Sequence, residues 1–277
     1  MLAAACSLML IIATSPVGAP AVAQEAVDLE LVLAVDISGS IDEAEARLQR
    51  RGYIAALTDE RVITAIQAGI LGRIAVAYVE WGGEDLQQAV VDWRIIHDRR
   101  TARAFAAELD AARLTVNASK TSISAALRFA SVLLSSNDFA GFRQVIDVSG
   151  DGPNNAGLLV NLARDLAVAA GITINGLPVI NERPNRFGLP GLADLDRYYA
   201  NCVIGGPGAF IVTAHGFGDF GAAIRRKLIL EIAGKAPVNS PARPGSGLVW
   251  LSQHSADTRA PACDIGERRF RDAFGRG

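Results

Sequence analysis

The strongest constraint comes from Leu29–Val35, LELVLAV, in which Leu31–Val35 is apolar at every position. A strand with no polar face needs cover on both sides. That is the situation of a strand inside a mostly parallel sheet packed between two layers of helices. The chain leaves this strand as DISGS, with an acid at Asp36 and hydroxyls at Ser38 and Ser40. Strand and helix signals then alternate. Helical patterns cover 42–57 and 60–68, and strands 73–81 and 88–96 form a hairpin after GGED. Helical spacing returns at 99–113 and 121–135, followed by a strand at 143–149, a helix at 157–170 and a strand at 172–180. A Pro-, Asn- and Gly-rich loop occupies 181–191, then come a short helix at 192–201, a strand at 209–213 and a helix at 219–233 ended by Gly234. This order predicts an α/β fold: three αβα layers around a mostly parallel sheet, with one antiparallel edge strand from the hairpin. The domain is expected over residues 27–234, with 235–277 as a linker and C-terminal tail opening on KAPVNSPARPGSG.

The first 23 residues carry no charge, hold a short apolar run at 8–13 and end in AVA before Gln24. They read as a signal peptide, which places the mature chain in the periplasm or outside the cell; the expected Lys or Arg before the apolar run is missing. No later segment is apolar enough to span a bilayer. The net charge of −2 is spread along the 277 residues without a basic stripe, so nothing points to nucleic acid or to an anionic membrane surface. Beyond the signal peptide two cysteines are left, Cys202 and Cys263. In an oxidising compartment such a pair forms either a disulfide or two free thiols, and the spacing alone does not decide.

In an open α/β sheet ligands bind beyond the carboxyl ends of the strands, where strand order reverses. Asp36, Ser38 and Ser40 follow the first strand, and Asp151 follows the strand 143–149 in GDGPNN. The helix beginning at Thr121 opens at the same edge if it joins that strand by a right-handed crossover. The result is two carboxylates and three hydroxyls from three separate segments. Such a set is hard oxygen only and suits Mg²⁺, Mn²⁺ or Ca²⁺. Residues two apart on an extended strip share a side, which accounts for the D-x-S-x-S spacing.

These motifs, DISGS, TSISAAL from Thr121 and SGDG after a strand, resemble the metal-ion-dependent adhesion site of von Willebrand factor type A domains, the integrin I-like fold. The strings VEWGG, VIDVSGDGPNN and IGGPGAFIV resemble a bacterial branch of that superfamily catalogued as a domain of unknown function. The resemblance spans 29–233 and implies a binding module; His97, His215 and His254 are scattered, with no HExxH or GxSxG, so no enzymatic activity is expected. The resemblance also implies that Ser38, Ser40 and Thr121 ligate the cation, with Asp36 and Asp151 bound directly or through water. The partner would then be a protein offering an Asp or Glu carboxylate. Two positions depart from the pattern. Ser119 and Lys120 precede Thr121 where many relatives have glycine, and Gly150 stands where relatives often have threonine.

Other readings compete. Ser40 with Glu43 forms a capping box, Thr121 is a candidate N-cap, and Asp151 before Gly152 is a common turn residue. None of these explains Asp36 at the end of a buried strand, where an unpaired carboxylate is costly. Asp147, within VIDVS, calls for a partner such as Arg143 or Arg128, and Glu80 is a further acid near the same edge. A Mg-dependent phosphohydrolase would share the cation, but Lys120 is its only nearby cationic group. GFGDFG at 216–221 matches a dinucleotide fingerprint, but it lies at the end of the domain and no further strand with an acid at its tip is expected after it.

Overall fold

The computed structural model describes residues 24–114, 120–181, 190–234, 249–251 (backbone) and 259–275. The signal-peptide reading of 1–23 and Ser119 lie outside the described residues. The chain runs through β1 (Glu25–Val27), β2 (Leu29–Asp36), α1 (Glu43–Leu57), α2 (Glu60–Gln67), β3 (Ile74–Trp81), β4 (Gln87–Ile96), α3 (Arg99–Ala111) and α4 (Ile123–Ser135). It continues through β5 (Phe139–Gly141), β6 (Gln144–Gly150), α5 (Val160–Ala169), β7 (Thr173–Ile180) and α6 (Leu195–Tyr198), which passes into a single π turn, Tyr199–Val203. β8 (Phe210–Val212), β9 (Ala214–His215), α7 (Phe220–Ala233), β10 (Val249–Leu251) and α8 (Ile265–Phe274) complete it.

The main sheet has the order β10-β8-β7-β6-β2-β3-β4, with β9 pairing β7, and β1 with β5 forms a small separate ladder. β3, β2, β6, β7 and β8 run parallel. β4 is the expected antiparallel edge, paired with β3. A second antiparallel strand, β10, closes the opposite edge against β8. The apolar run of β2 is central, and all eight of its residues are buried. Leu31, Leu33 and Val35 face α1, α2, α3 and α7. Val32 and Ala34 face α4, α5 and the α6 turn. Strict alternation into two cores is why both faces of the strand had to be apolar.

Asp147 lies on the α7 face of β6 and is fully buried. Its partner is neither Arg143 nor Arg128. Lys227 Nζ of α7 sits 2.5 Å from Asp147 Oδ1 and 2.5 Å from Glu231 Oε1, with all three side chains wholly enclosed. Arg143 instead donates to the carbonyls of Glu231 and Ile232 at the end of α7. Within GFGDFG, Phe220 is buried edge-on against Tyr53 with ring centroids 5.7 Å apart. That motif serves the packing of α7 onto α1.

Candidate metal site

The chain passes from β2 to β3 on one side of β2 and returns to β6 on the other, so strand order reverses between β2 and β6. Asp36 ends β2, and Asp151 directly follows β6, its parallel neighbour. Both carboxylates therefore emerge at the switch point of the sheet.

Local capping sets the loop after β2. The N-cap of α1 is Asp42, whose carboxylate accepts from Glu45 N while Asp42 N donates to Glu45 Oε2. Ser40 is left free of capping, and its Oγ donates to Asp151 Oδ1 at 2.5 Å. Likewise α4 is capped by Ser122, which accepts from Ala125 N, so Thr121 is not the cap. Thr121 Oγ1 instead donates to Ser38 Oγ at 3.2 Å, and Ser38 Oγ lies 3.4 Å from Ser40 Oγ. Ser38 N donates to Asp36 Oδ1 at 2.7 Å. Asp36, Ser38, Ser40, Thr121 and Asp151 thus form one continuous oxygen cluster drawn from three segments of the chain.

Loop 151–155 is tied to the start of α4. Asn155 Oδ1 accepts from Thr121 N, and Asn155 N donates to Thr121 O, both at 2.8 Å. Asn154 Oδ1 accepts from Ser124 N. Gly150 has a steric reason to be glycine: a Cβ there would lie 2.8 Å from both Asp36 Oδ2 and Tyr199 Oη. A threonine at this position would press on this carboxylate.

Two groups near the cluster do not join it. Glu80 is held by a buried pair of contacts from Arg50, Nε to Oε1 at 2.7 Å and Nη2 to Oε2 at 3.0 Å. Lys120 is exposed, with Nζ above the Phe270 ring at 5.7 Å from its centroid. Sequence reasoning missed Tyr199, Asn154 and Asn155. The two asparagines stand in GDGPNN, where only Asp151 and Gly152 carried a sequence signal. Tyr199 carried no signal at all.

The electrostatics test whether a cation fits. Asp36 is fully buried, and its Oδ2 has no hydrogen-bond donor. Burial, and then the neighbouring Asp151 charge, push the Asp36 carboxyl well above the usual carboxylate range. Burial and the nearby Glu45 charge push Asp151 up in turn, against the hydrogen bond from Ser40. Among the described residues neither carboxylate has a Lys, Arg or His partner. Two neighbouring carboxylates, Asp36 wholly buried with one orphaned oxygen and Asp151 half-buried, are costly unless positive charge enters. The remaining donors are hydroxyls, and among the described residues no three His, Cys, Asp or Glu side chains cluster. The donor set fits a hard divalent cation.

A family model described as "Protein of unknown function (DUF1194)" matches residues 26–236. The chain belongs to the DUF1194 family. Its fold is that of a von Willebrand factor type A domain. Among solved structures, the pilus adhesin SpaC from Lactobacillus rhamnosus GG matches with a TM-score of 0.53 and 13% identity, over 76% of this chain and 31% of that one. Proximal thread matrix protein 1 from the mussel byssus, with its adhesion-site motif occupied by zinc, matches with a TM-score of 0.52 and 14% identity, over 76% and 47%. A von Willebrand factor type A structure from Catenulispora acidiphila gives 0.50 and 15%, over 76% and 43%. The DUF1194 chain spans less than half the length of each of these structures. No curated protein matches its sequence.

Proposed function

We propose that this protein is an extracytoplasmic binding module that holds one divalent cation through Asp36, Ser38, Ser40, Thr121 and Asp151 and offers it to an acidic side chain of a protein partner. The observation that carries the reading is the buried, donor-less Oδ2 of Asp36 in one oxygen cluster with a second carboxylate, the half-buried Asp151. Bound Mg²⁺, Mn²⁺ or Ca²⁺ would supply positive charge and an oxygen-seeking coordination position. The chain's own residues then set the charge balance. Two carboxylates and three neutral hydroxyls leave no net negative charge against a 2+ ion, so a further carboxylate is not repelled. Asn154 and Asn155 hold the Thr121 and Asp151 loops in register. The likeness to an adhesin and to a matrix protein whose own site holds zinc supports a binding role. The disulfide Cys202–Cys263 supports an oxidising compartment and the signal-peptide reading of residues 1–23. In this reading the module proper is residues 27–234.

Thermal melting of the purified protein with EDTA, Mg²⁺, Mn²⁺ and Ca²⁺ tests it. At a cation concentration of about 100 Kd the native state gains roughly 2.7 kcal/mol. For a domain of this size that is a rise of about 5–10 °C in Tm. Asp36→Asn removes the buried charge, so it holds or raises the Tm in EDTA and abolishes the response. A folded protein whose Tm ignores all three ions refutes the assignment. With the cation response in hand, partner capture from an envelope extract is expected to be lost in chelator.

A further inference from the structure

Residues 259–275 lie beyond the segment matched by the family model, which ends at 236. They nevertheless return to the rim of the oxygen cluster. Cys263 is bonded to Cys202 in the π turn, 61 positions away in sequence. Beside that bridge the Tyr198 hydroxyl accepts from Asn154 N at 3.1 Å and donates to Cys263 O at 3.4 Å. Along α8, Gly266, Glu267 and Phe270 form one helical stripe facing the rim. Gly266 is pressed so tightly onto loop 151–155 that a Cβ would meet Asn154 O at 1.9 Å and Pro153 Cγ at 3.1 Å. Glu267 Oε1 accepts from Asn154 Nδ2 at 2.7 Å. Phe270 underlies Lys120, the neighbour of Thr121.

Three of these contacts, from the Tyr198 hydroxyl, Gly266 and Glu267, converge on Asn154, which is wholly buried. Its amide bonds Ser124 N at the start of α4, the carbonyls of Ala156 and Leu158 in its own loop, and Glu267 of α8. Asn154 thus fixes where Asp151 lies relative to Thr121, and Glu267 fixes Asn154 through a charge-assisted bond. A partner that orients a metal ligand directly commonly changes cation affinity by about 10–100-fold when it is lost, and Glu267 acts one step further out, on the loop that carries Asp151.

We propose that α8 is a positioning element of the cation site. It is tethered by Cys202–Cys263 and acts through Glu267 on Asn154, so the competent site includes the tail as well as the matched domain. This inference rests on the cation reading above.

The test is isothermal titration of Mn²⁺ into the full oxidised chain, with melting in EDTA alongside. Glu267→Ala is expected to weaken Mn²⁺ binding about 10-fold or more, with little change in the metal-free Tm. Glu267→Gln keeps an acceptor oxygen and is expected to recover most of the affinity. Cys202→Ser with Cys263→Ser is expected to reproduce the Glu267→Ala loss. Wild-type affinity in both Glu267→Ala and the double serine variant overturns the proposal. So does a fall in the metal-free Tm of Glu267→Ala with unchanged affinity, which marks a purely structural contact. No Mn²⁺ uptake by the wild type removes the cation reading itself, and is told apart from either result by that one titration.

Discussion

At the scale of single residues, the site is decided by which side chains the helix caps leave unused. Ser40 and Thr121 both had a plausible capping role in the sequence. The structure hands that role to Asp42 and Ser122, two positions and one position further on. The sequence contains both alternatives, and only the backbone path through the loop chooses between them. Asp36 was legible because an acid ending a buried strand has no structural use. Tyr199 was not, because its closeness to Asp36 depends on the packing of the π turn beneath Gly150. The division of labour between adjacent residues is testable. Ser122→Ala removes a cap and should cost about 1 kcal/mol in urea melts, while the Tm rise with Mg²⁺ stays close to that of wild type. Thr121→Val should do the reverse, with most of the Mg²⁺ response lost and the cap intact. Equal effects of the two substitutions on the Mg²⁺ response would contradict this assignment.

At the scale of elements, β6 and α7 are joined by charge as well as by apolar packing. Asp147 was conspicuous in a central strand, but its partner was not legible. Lys227 sits in a helix whose sequence reads as half-exposed, and the two residues meet only through a contact between distant elements. Glu231 shares Lys227, is bonded by Asn175 Nδ2 of β7 at 3.0 Å, and faces Asp147. Tyr53 of α1 lies nearby, its hydroxyl donating to Ser149. Burial, then the Asp147 charge, push the Glu231 carboxyl from its ordinary 4.5 up to about 7. A carboxyl raised on folding gives stability that is fully present below pH 4.5 and is lost as pH rises through about 7. At roughly 1.4 kcal/mol per pKa unit the whole loss is on the order of 3–4 kcal/mol. Urea midpoints should therefore fall between pH 5 and pH 8 in the wild type and change much less in Glu231→Gln. Lys227→Met leaves two buried acids facing each other. It should cost about 3–5 kcal/mol at pH 8 and less at pH 5, where Glu231 holds its proton. A pH-independent cost would mean that the lysine acts through packing alone.

At the scale of the molecule, the fold was readable because a βα alternation with a two-sided apolar central strand admits few arrangements. The tail was not. After Lys235 the hydrophobic pattern stops, so neither the pairing of β10 with β8 nor the return of α8 to the rim could be read. The cysteine pair was the sole hint, and its loop of 61 positions contributes about 4 kcal/mol by restricting the unfolded chain. The architecture separates a deep core from a rim where three chain segments and α8 meet. Hydrogen exchange can see that separation. Amides that exchange only through global unfolding should all slow by one common factor when Mn²⁺ is added, because the ion stabilises the whole native state. Amides that open locally report on their own surroundings. Those at 36–42, 120–124 and 150–155 should slow beyond the common factor, and so should 265–270 if Glu267 transmits to the site. The turn at 69–73 lies at the opposite end of the sheet, where Asp28 accepts from Leu71 N and Arg73 N. Its locally exchanging amides should keep their rates. Extra slowing at 69–73, or none at the three rim segments, would place the ion somewhere other than the sheet's switch point.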